Sequence, residues 1–340
     1  MHYIGLDIHK RFIYGCILDQ EGKMIHEQKF ATEPDELDRF LSHTALDDCR
    51  IALEACVCWQ FTFDYLMDQG YDVVLADPMR IRVIATSRKK TDRHDARVLA
   101  DLLRTNLLPK SYASPRDIRE QRQITRHRAS LTDLRTQVKN KIHAILLRSG
   151  INPQFSDAFG KAGLAYLATL DLPMSDRFEL GQYVHLIQHF TSSINATTEQ
   201  VEDFVRFNPH ARLLMTVPGI NYYGAVMIAA EIGDMRRFTS RKQLTSYAGL
   251  NPSVYQSGDT FRTGHISKQG NRYLRRILVQ CTNVSIYHDK TLARFYQRLK
   301  RRKNHGIAIT ATARKLLGYV YVMLQHNIPY YALQVHKEAS

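Results

Sequence analysis

Three short stretches at the start of the chain have the apolar patterning of β-strands. Residues 2–8 and 12–18 are apolar enough for the centre of a sheet. Residues 24–30 are more polar and follow a turn at residues 19–22. This difference predicts two central strands and one edge strand, joined as hairpins.

The pattern then changes to alternating helices and strands. Pro34 opens a predicted helix of about ten residues, and residues 50–55 form a predicted strand that contains Glu54. Residues 60–69 then favour a helix and residues 72–76 a strand. Hairpins followed by alternating strands and helices indicate a mixed α/β domain.

A further helix is predicted to begin at Asp92, with Thr91 as its N-cap. Asp92 and Asp95 stand three residues apart, so they share one face of this helix. Two acids in a first turn are commonly a solvated start that the helix dipole favours. They become candidates for a metal site only if other carboxylates approach, because Mg²⁺ takes several oxygen ligands. Basic residues flank these two acids: Arg88, Lys89 and Lys90 are predicted nucleic-acid contacts, and Arg93 and Arg97 lie beside the acids on the helix.

A long basic helix is predicted from about residue 117 to residue 148. Apolar residues recur along it every three or four positions, a coiled-coil-like stripe formed by Leu131, Leu134, Val138, Ile142 and Ile145. We favour self-association through this stripe, with packing inside the chain as the alternative. The basic positions on its other faces are predicted nucleic-acid contacts: Arg122, Arg126, Arg128, Arg135 and Lys139.

The remaining chain reads as mostly helical. The loop-like residues 149–160 mark a boundary, which gives predicted domains at 1–108, 109–150 and 151–340. The turn at Pro218 resembles that of a helix-hairpin-helix motif, in which backbone amides hold a phosphate; a packing corner is the alternative. Residues 249–276 read as a polar loop followed by a basic helix, which Ser267 is predicted to cap.

Charge separates the chain into two kinds of segment. The 340 residues carry a formal net charge of +14. Acidic side chains predominate in residues 1–77 and basic ones afterwards, which is typical of a protein that binds a polyanion. The five scattered cysteines fit a reducing cytoplasm rather than a zinc site. No membrane partner is predicted, because no apolar run reaches the roughly 18 residues of a membrane span.

The predicted order β-β-β-α-β-α-β-α resembles the RNase H-like fold of RuvC resolvases and many transposases. Asp7 in the first strand, Glu54 at the end of the fourth, and the Asp92 and Asp95 pair resemble the DEDD set of RuvC-like nucleases. Ends of neighbouring strands lie about 5 Å apart, so these acids can converge. Four such carboxylates need a cation, and two Mg²⁺ (or Mn²⁺) ions are expected to hold a phosphodiester.

A second segment makes the resemblance more specific than a general likeness to RuvC-like nucleases. Residues 257–276 contain a Ser-Gly pair and then Ile-Ser-Lys-x-Gly-x-x-x-Leu-Arg. Together with the four acids, this segment resembles the insertion-sequence transposases of the IS110 family, over nearly the whole chain. The resemblance implies a RuvC-like domain joined to a mostly α-helical transposase domain with a catalytic serine. It also implies a DNA recombinase guided by a structured RNA from its own element and acting as a homo-oligomer.

By its place in the motif, the serine nucleophile is Ser257. The following Gly258 would allow a phosphate to approach the hydroxyl closely. The alternatives are that Ser257 is only a turn residue, or that Ser253 or Ser267 takes its part. Basic residues nearby are predicted to contact phosphates: Arg262, Lys268, Arg272, Arg275 and Arg276.

Two other functions fit the same residues. One is a RuvC-like nuclease that hydrolyses branched DNA with a metal-activated water, while the C-terminal half only binds. The other is a nucleic-acid-binding protein without chemistry, whose acids are structural.

Overall fold

The computed structural model describes residues 1–84, 91–152, 157–257 and 260–333. The chain divides into two compact units, Met1–Ala113 and a second that begins at Ser114. The first is a mixed α/β unit and the second is mostly helical. The division falls at residue 113 and groups the long basic helix with the second unit.

The first unit contains five strands and four helices in the described residues. The strands are β1 (His2–Ile8), β2 (Phe12–Leu18), β3 (Met24–Ala31), β4 (Cys49–Glu54) and β5 (Asp72–Ala76). The helices are α1 (Pro34–Leu41), α2 (Trp59–Asp68), α3 (Pro78–Ile84) and α4 (Asp92–Arg104). Each predicted strand lies within two residues of its observed position, and the polar third strand is at the edge.

One sheet organises this unit, in the order β3-β2-β1-β4-β5. β1 pairs antiparallel with β2 and parallel with β4, and β4 pairs parallel with β5. Alternate residues of β1 point to opposite faces. Leu6 packs on one face with Phe40 of α1 and Leu66 of α2. The opposite face carries α4, whose Leu99 packs with Ala52.

Gly5 lets α4 lie directly on β1. A Cβ built at Gly5 would stand 2.0 Å from the carbonyl oxygen of Ala96 and 2.6 Å from the amide of Ala100. The helix backbone therefore occupies the space that any side chain at position 5 needs.

We expect Gly5→Ala to lower the free energy of unfolding of the first unit by about 1–3 kcal/mol, as overpacking typically does. Urea unfolding followed by the fluorescence of Trp59, the one tryptophan in the chain, measures this unit. Lys23→Ala is the control in the same unit, because Lys23 is exposed and surface substitutions usually change stability by no more than about 0.5 kcal/mol. Equal stability of the Gly5→Ala protein would contradict the close approach.

The second unit consists of nine helices and a hairpin in its described residues. The helices are α5 (Arg116–Arg148), α6 (Lys161–Thr169), α7 (Met174–Phe207), α8 (Pro209–Leu214), α9 (Tyr222–Ile232), α10 (Arg241–Tyr247), α11 (Arg272–His288), α12 (Lys290–Lys300) and α13 (His305–His326). The strands are β6 (Pro252–Ser257) and β7 (Thr260–Ile266), which pair antiparallel. Buried α9 lies at the centre of the core.

The C-terminal part of the apolar stripe of α5 packs inside the chain, whereas Leu134 is exposed. Ile142 and Ile145 are fully buried and pack with Leu180 and Ile187 of α7. This is the intramolecular alternative, so self-association through these residues is not supported. A long apolar stripe alone does not say whether its partner is the same chain or another copy.

Two local predictions in this unit are corrected. Asn271, not Ser267, caps α11, because its side-chain oxygen accepts from the amides of Tyr273 and Leu274. The predicted polar loop before it contains the β6–β7 hairpin.

At the Pro218 turn, a Cβ on Gly219 would stand 2.6 Å from the amide nitrogen of Ser285, so the turn packs tightly against α11. This favours the packing corner over a phosphate-binding turn.

Helix α13 is, by length and composition, the one described helix that could cross a membrane. Its buried residues, including Leu316 and Val320, belong to the core of the second unit. The helix is therefore accounted for as a core helix.

Candidate active site

The contact between β1 and α4 brings acidic residues together. Asp7 is two residues after Gly5 and so shares the face of β1 that carries α4. Asp92 is one helical turn before Ala96, the residue that lies on Gly5. Thr91 fixes the start of the helix, since its hydroxyl accepts from the amide of His94. The geometry of strand and helix thus directs two distant acids to one place.

His9 lies between these two carboxylates. Its Nε2 atom is 3.1 Å from Oδ2 of Asp7 and 3.4 Å from Oδ1 of Asp92. One atom from each of these three residues lies within 4.8 Å of the other two. A nitrogen and two carboxylate oxygens at this spacing form a group that fits a divalent cation.

Glu54 and Asp95 extend the acidic site. Leu6 of β1 is paired with Leu53 of β4, which places Glu54 beside Asp7 at the ends of adjacent parallel strands. Glu54 also shares the strand face of Ala52, on which α4 packs. Asp95 is near enough for its charge to act on Asp7. Asp7 and Glu54 therefore lie at adjacent strand ends, and Asp92 and Asp95 lie in the first turn of the helix that packs on the same face.

The electrostatics of Asp7 follow from this crowding. Burial raises the pKa of the Asp7 carboxyl, the charge and hydrogen bond of His9 lower it, and the charges of Asp95 and Asp92 raise it further. The net effect is a raised pKa, as expected for a buried acid among like charges. A divalent cation would relieve that repulsion.

Two cysteines lie next to this site without entering it. The Sγ atoms of Cys56 and Cys58 are 3.5 Å apart, and each is 3.6 Å from the carbonyl oxygen of Ile8. Burial raises the pKa of Cys56 to about 11, so this thiol is protonated at neutral pH. Neither cysteine belongs to the group of ligand atoms formed by Asp7, His9 and Asp92.

Sequence reasoning missed His9. The available signal was its position two residues after Asp7, just past the end of an apolar strand. Imidazole is a common metal ligand, but a single histidine at a strand end has many other uses, so the pattern alone did not select it.

In the second unit, Ser257 is the last residue of β6. Its strand partner is Thr260, which places Ser257 at the tip of the hairpin. Gly258 lies outside the described residues. Of the alternative serines, Ser253 donates its hydroxyl to the carbonyl of His265, a contact within the hairpin. The amide of Ser267 donates to the carbonyl of Asn251, where the hairpin joins the helical core.

Most of the predicted arginine contacts on α5 have partners inside the second unit. Arg122 donates to the carbonyls of Ala230 and Glu231, and burial lowers its pKa. Arg126 makes two hydrogen bonds to the carboxylate of Glu231, at 2.6 and 2.7 Å. Glu231 is completely buried. These two arginines stabilise the fold through partners inside the unit, which counts against the prediction that Arg122 and Arg126 contact nucleic acid.

Other predicted cations are also engaged internally. Their partners are Thr198 and the ring of Tyr223 for Arg128, Thr191 for Arg135, the ring of Phe159 for Lys139, the Ala248 carbonyl for Arg275 and Asp133 for Arg276. A count of basic residues does not reveal these pairings, because it contains no information on where the acceptors lie.

Three predicted cations are exposed near the hairpin. Arg262 is on β7, Lys268 follows that strand, and Arg272 is the first residue of α11. They are the strongest candidates for phosphate contacts among the described residues. The predicted contacts Arg88, Lys89 and Lys90 lie outside them.

Comparison with known proteins finds transposase families that match segments of both units. Residues 4–151 match the DEDD Tnp IS110 family, described as transposase. Residues 211–297 match the transposase IS116/IS110/IS902 family. The chain belongs to the IS110 family of transposases. The first match contains the four acids, and the second contains Ser257 and the three exposed cations.

Two relatives match nearly the whole length of this IS110-family chain, and a third matches less than half of it. The transposase for insertion sequence element IS1328 of Yersinia enterocolitica is 28% identical over 94% of this chain and 96% of its own. The transposase for IS1111A of Coxiella burnetii is 23% identical over 96% and 90%. A pilin gene-inverting protein of Moraxella bovis is 32% identical over 42% of this chain and 47% of its own. The chain is thus a transposase or recombinase, an enzyme that acts on DNA.

Proposed function

We propose that this transposase cuts and rejoins DNA through two groups of residues, one in each unit. Ser257 acts as the nucleophile, and Asp7, Glu54, Asp92 and Asp95 hold Mg²⁺ or Mn²⁺. The observation that carries this proposal is the meeting of Asp7 and Asp92, 85 positions apart in sequence, within the segment that matches the DEDD family. An RNase H-like fold is part of the proposal, supported by the strand order β3-β2-β1-β4-β5.

The residues present fit a divalent cation. Asp7 and Asp92 offer hard oxygen ligands, the kind that Mg²⁺ and Mn²⁺ prefer, and the crowding of their charges favours a counter-ion. When bound, the cation supplies charge stabilisation to the phosphodiester under attack. The side chains of this protein supply the nucleophile and position the DNA.

The cleavage step joins one DNA end covalently to the protein. The hydroxyl oxygen of Ser257 forms a bond to the phosphorus of a phosphodiester and gives up its proton. The bond from phosphorus to one sugar oxygen breaks, and that oxygen takes a proton to become a free hydroxyl. The product is a phosphoserine ester, which conserves the energy of the broken bond for rejoining.

The exposed cations near the hairpin position the DNA. Arg262, Lys268 and Arg272 are positively charged and close in sequence to Ser257. Contacts from these side chains to DNA phosphates would fix the position of the DNA relative to the serine. We further propose, from the family resemblance, a guide RNA, a homo-oligomer on DNA and a cytoplasmic location. Light scattering with and without DNA measures the number of subunits.

An adduct trap tests the nucleophile. Protein, the RNA of its element, target DNA and Mg²⁺ are combined, denatured and separated by electrophoresis. We expect a covalent protein–DNA band for the wild type and its loss in Ser257→Ala. Ser253→Ala, whose hydroxyl serves the hairpin, is the matched control and should still form the band.

Two outcomes oppose the proposal in different ways. A Ser257→Ala protein that still forms the adduct would exclude Ser257 as the nucleophile. Nicked DNA with full activity in Ser257→Ala and no adduct in any protein would favour the RuvC-like hydrolytic nuclease. Omitting the RNA tests its role, since target joining should then cease.

A further inference from the structure

His9 has a position that two independent features hold in place. Its amide donates to the carbonyl of Phe12 at 2.9 Å, and its carbonyl accepts from the hydroxyl of Thr32 at 3.1 Å. Its ring is stacked on Phe12, with ring centroids 4.5 Å apart. The imidazole is therefore fixed beside the acids by the turn and by stacking, and not only by attraction to the carboxylates.

The spacing of its nitrogen fits a shared metal ion. In an octahedral site with bonds of about 2.1 Å, adjacent ligand atoms are about 3 Å apart. Nε2 of His9 stands 3.1 Å from the Asp7 oxygen and 3.4 Å from the Asp92 oxygen. With the ring proton on Nδ1, Nε2 carries a lone pair directed to the same space as these oxygens.

We propose that His9 is a metal ligand together with Asp7 and Asp92, so that the site contains nitrogen as well as oxygen. This inference rests on the proposed function, in which the acids hold a divalent cation. It adds a consequence for the choice of ion. Imidazole suits transition metals, whereas an all-oxygen set suits Mg²⁺. The site should therefore bind Mn²⁺ more tightly than Mg²⁺, with His9 as the cause.

The competing role for His9 is a hydrogen-bond donor that only neutralises the acids. In that role the nitrogen never touches the ion, and its removal changes the affinities for Mn²⁺ and Mg²⁺ by similar factors. The two roles therefore differ in whether a nitrogen atom is bonded to the ion and in whether loss of His9 changes the preference for Mn²⁺ over Mg²⁺.

The experiment uses the full chain with Mn²⁺ alone. Pulsed electron paramagnetic resonance detects nitrogen nuclei bonded to Mn²⁺, and calorimetry gives the affinities for Mn²⁺ and Mg²⁺. We expect nitrogen coupling in the wild type and its loss in His9→Asn and His9→Gln. We also expect the preference for Mn²⁺ over Mg²⁺ to fall about tenfold in these variants. His185→Asn, at an exposed position on α7, should behave as the wild type.

The outcomes separate this inference from the proposed function. Binding of Mn²⁺ that requires Asp7, without nitrogen coupling or with unchanged selectivity in His9→Asn, would overturn the ligand role and leave the carboxylate site standing. Equal binding of Mn²⁺ by the wild type and Asp7→Asn would overturn both. Absence of nitrogen coupling in the wild type would by itself overturn the ligand role, whether or not any variant folds.

Discussion

Asp7→Asn is expected to reduce DNA cleavage and joining by about a thousandfold or more, while the protein stays folded and bound to DNA. The substitution preserves shape but removes the charge of the most buried of the four acids. A metal ion contributes several kcal/mol to stabilising the charge that develops on a phosphoryl group. Each 1.36 kcal/mol corresponds to about a factor of ten in rate.

Three measurements check this expectation: single-turnover cleavage, DNA affinity at fixed salt, and urea unfolding followed by Trp59 fluorescence. Asp101→Asn is the matched control on α4, because Asp101 is about half exposed and pairs with Arg104 one turn away. It should cleave normally. Retained cleavage by Asp7→Asn would favour a structural role for the acids and remove the basis of the proposed chemistry.

Glu231→Ala is expected to lower the free energy of unfolding of the second unit by about 3–5 kcal/mol, the usual cost of removing one partner from a buried ion pair. The Glu231 carboxylate accepts from Arg126 on α5 and from Asn271, the N-cap of α11, and so joins three helices. Burial is the largest single influence on Arg126 and lowers its pKa, but the hydrogen bonds and the charge of Glu231, with the nearby tyrosines, together outweigh it, so the pKa of Arg126 is raised.

Two probes separate the units in this experiment. Helical circular dichroism reports mainly the second unit, whereas the single tryptophan, Trp59, reports the first. Glu231→Ala should shift the dichroism midpoint and leave the fluorescence midpoint unchanged. Asp133→Ala removes an exposed pair with Arg276 and should cost less than about 1 kcal/mol. Equal effects of the two substitutions would mean that the buried network is not a stabilising centre.

Much of the first unit follows from local patterns. The strands β1, β2, β4 and β5 are short apolar runs bounded by polar turns, and Thr91 is a strong helix cap. Once the order of elements is known, adjacency of strand ends makes the convergence of Asp7 and Glu54 a geometric expectation. The candidate site was accessible from sequence for this reason.

The second unit resisted the same reasoning because its decisive features are tertiary. The β6–β7 hairpin carries exposed Val254 and Tyr255, so it lacks the alternation that a half-buried strand shows. The arginines of α5 read as a nucleic-acid surface until their acceptors on other helices are known. His9 was missed because its importance depends on Asp92, which arrives from a distant helix.

The alternation of side chains along β1 limits where this protein can accept insertions and deletions. Successive strand residues point to opposite sides, so inserting or deleting one residue between Gly5 and Asp7 would turn Asp7 toward Phe40 and Leu66. Turns away from that strand, such as residues 19–22, carry no such constraint. Changes in chain length should therefore be tolerated in the turns, while the two-residue step from the glycine to the acid must be preserved.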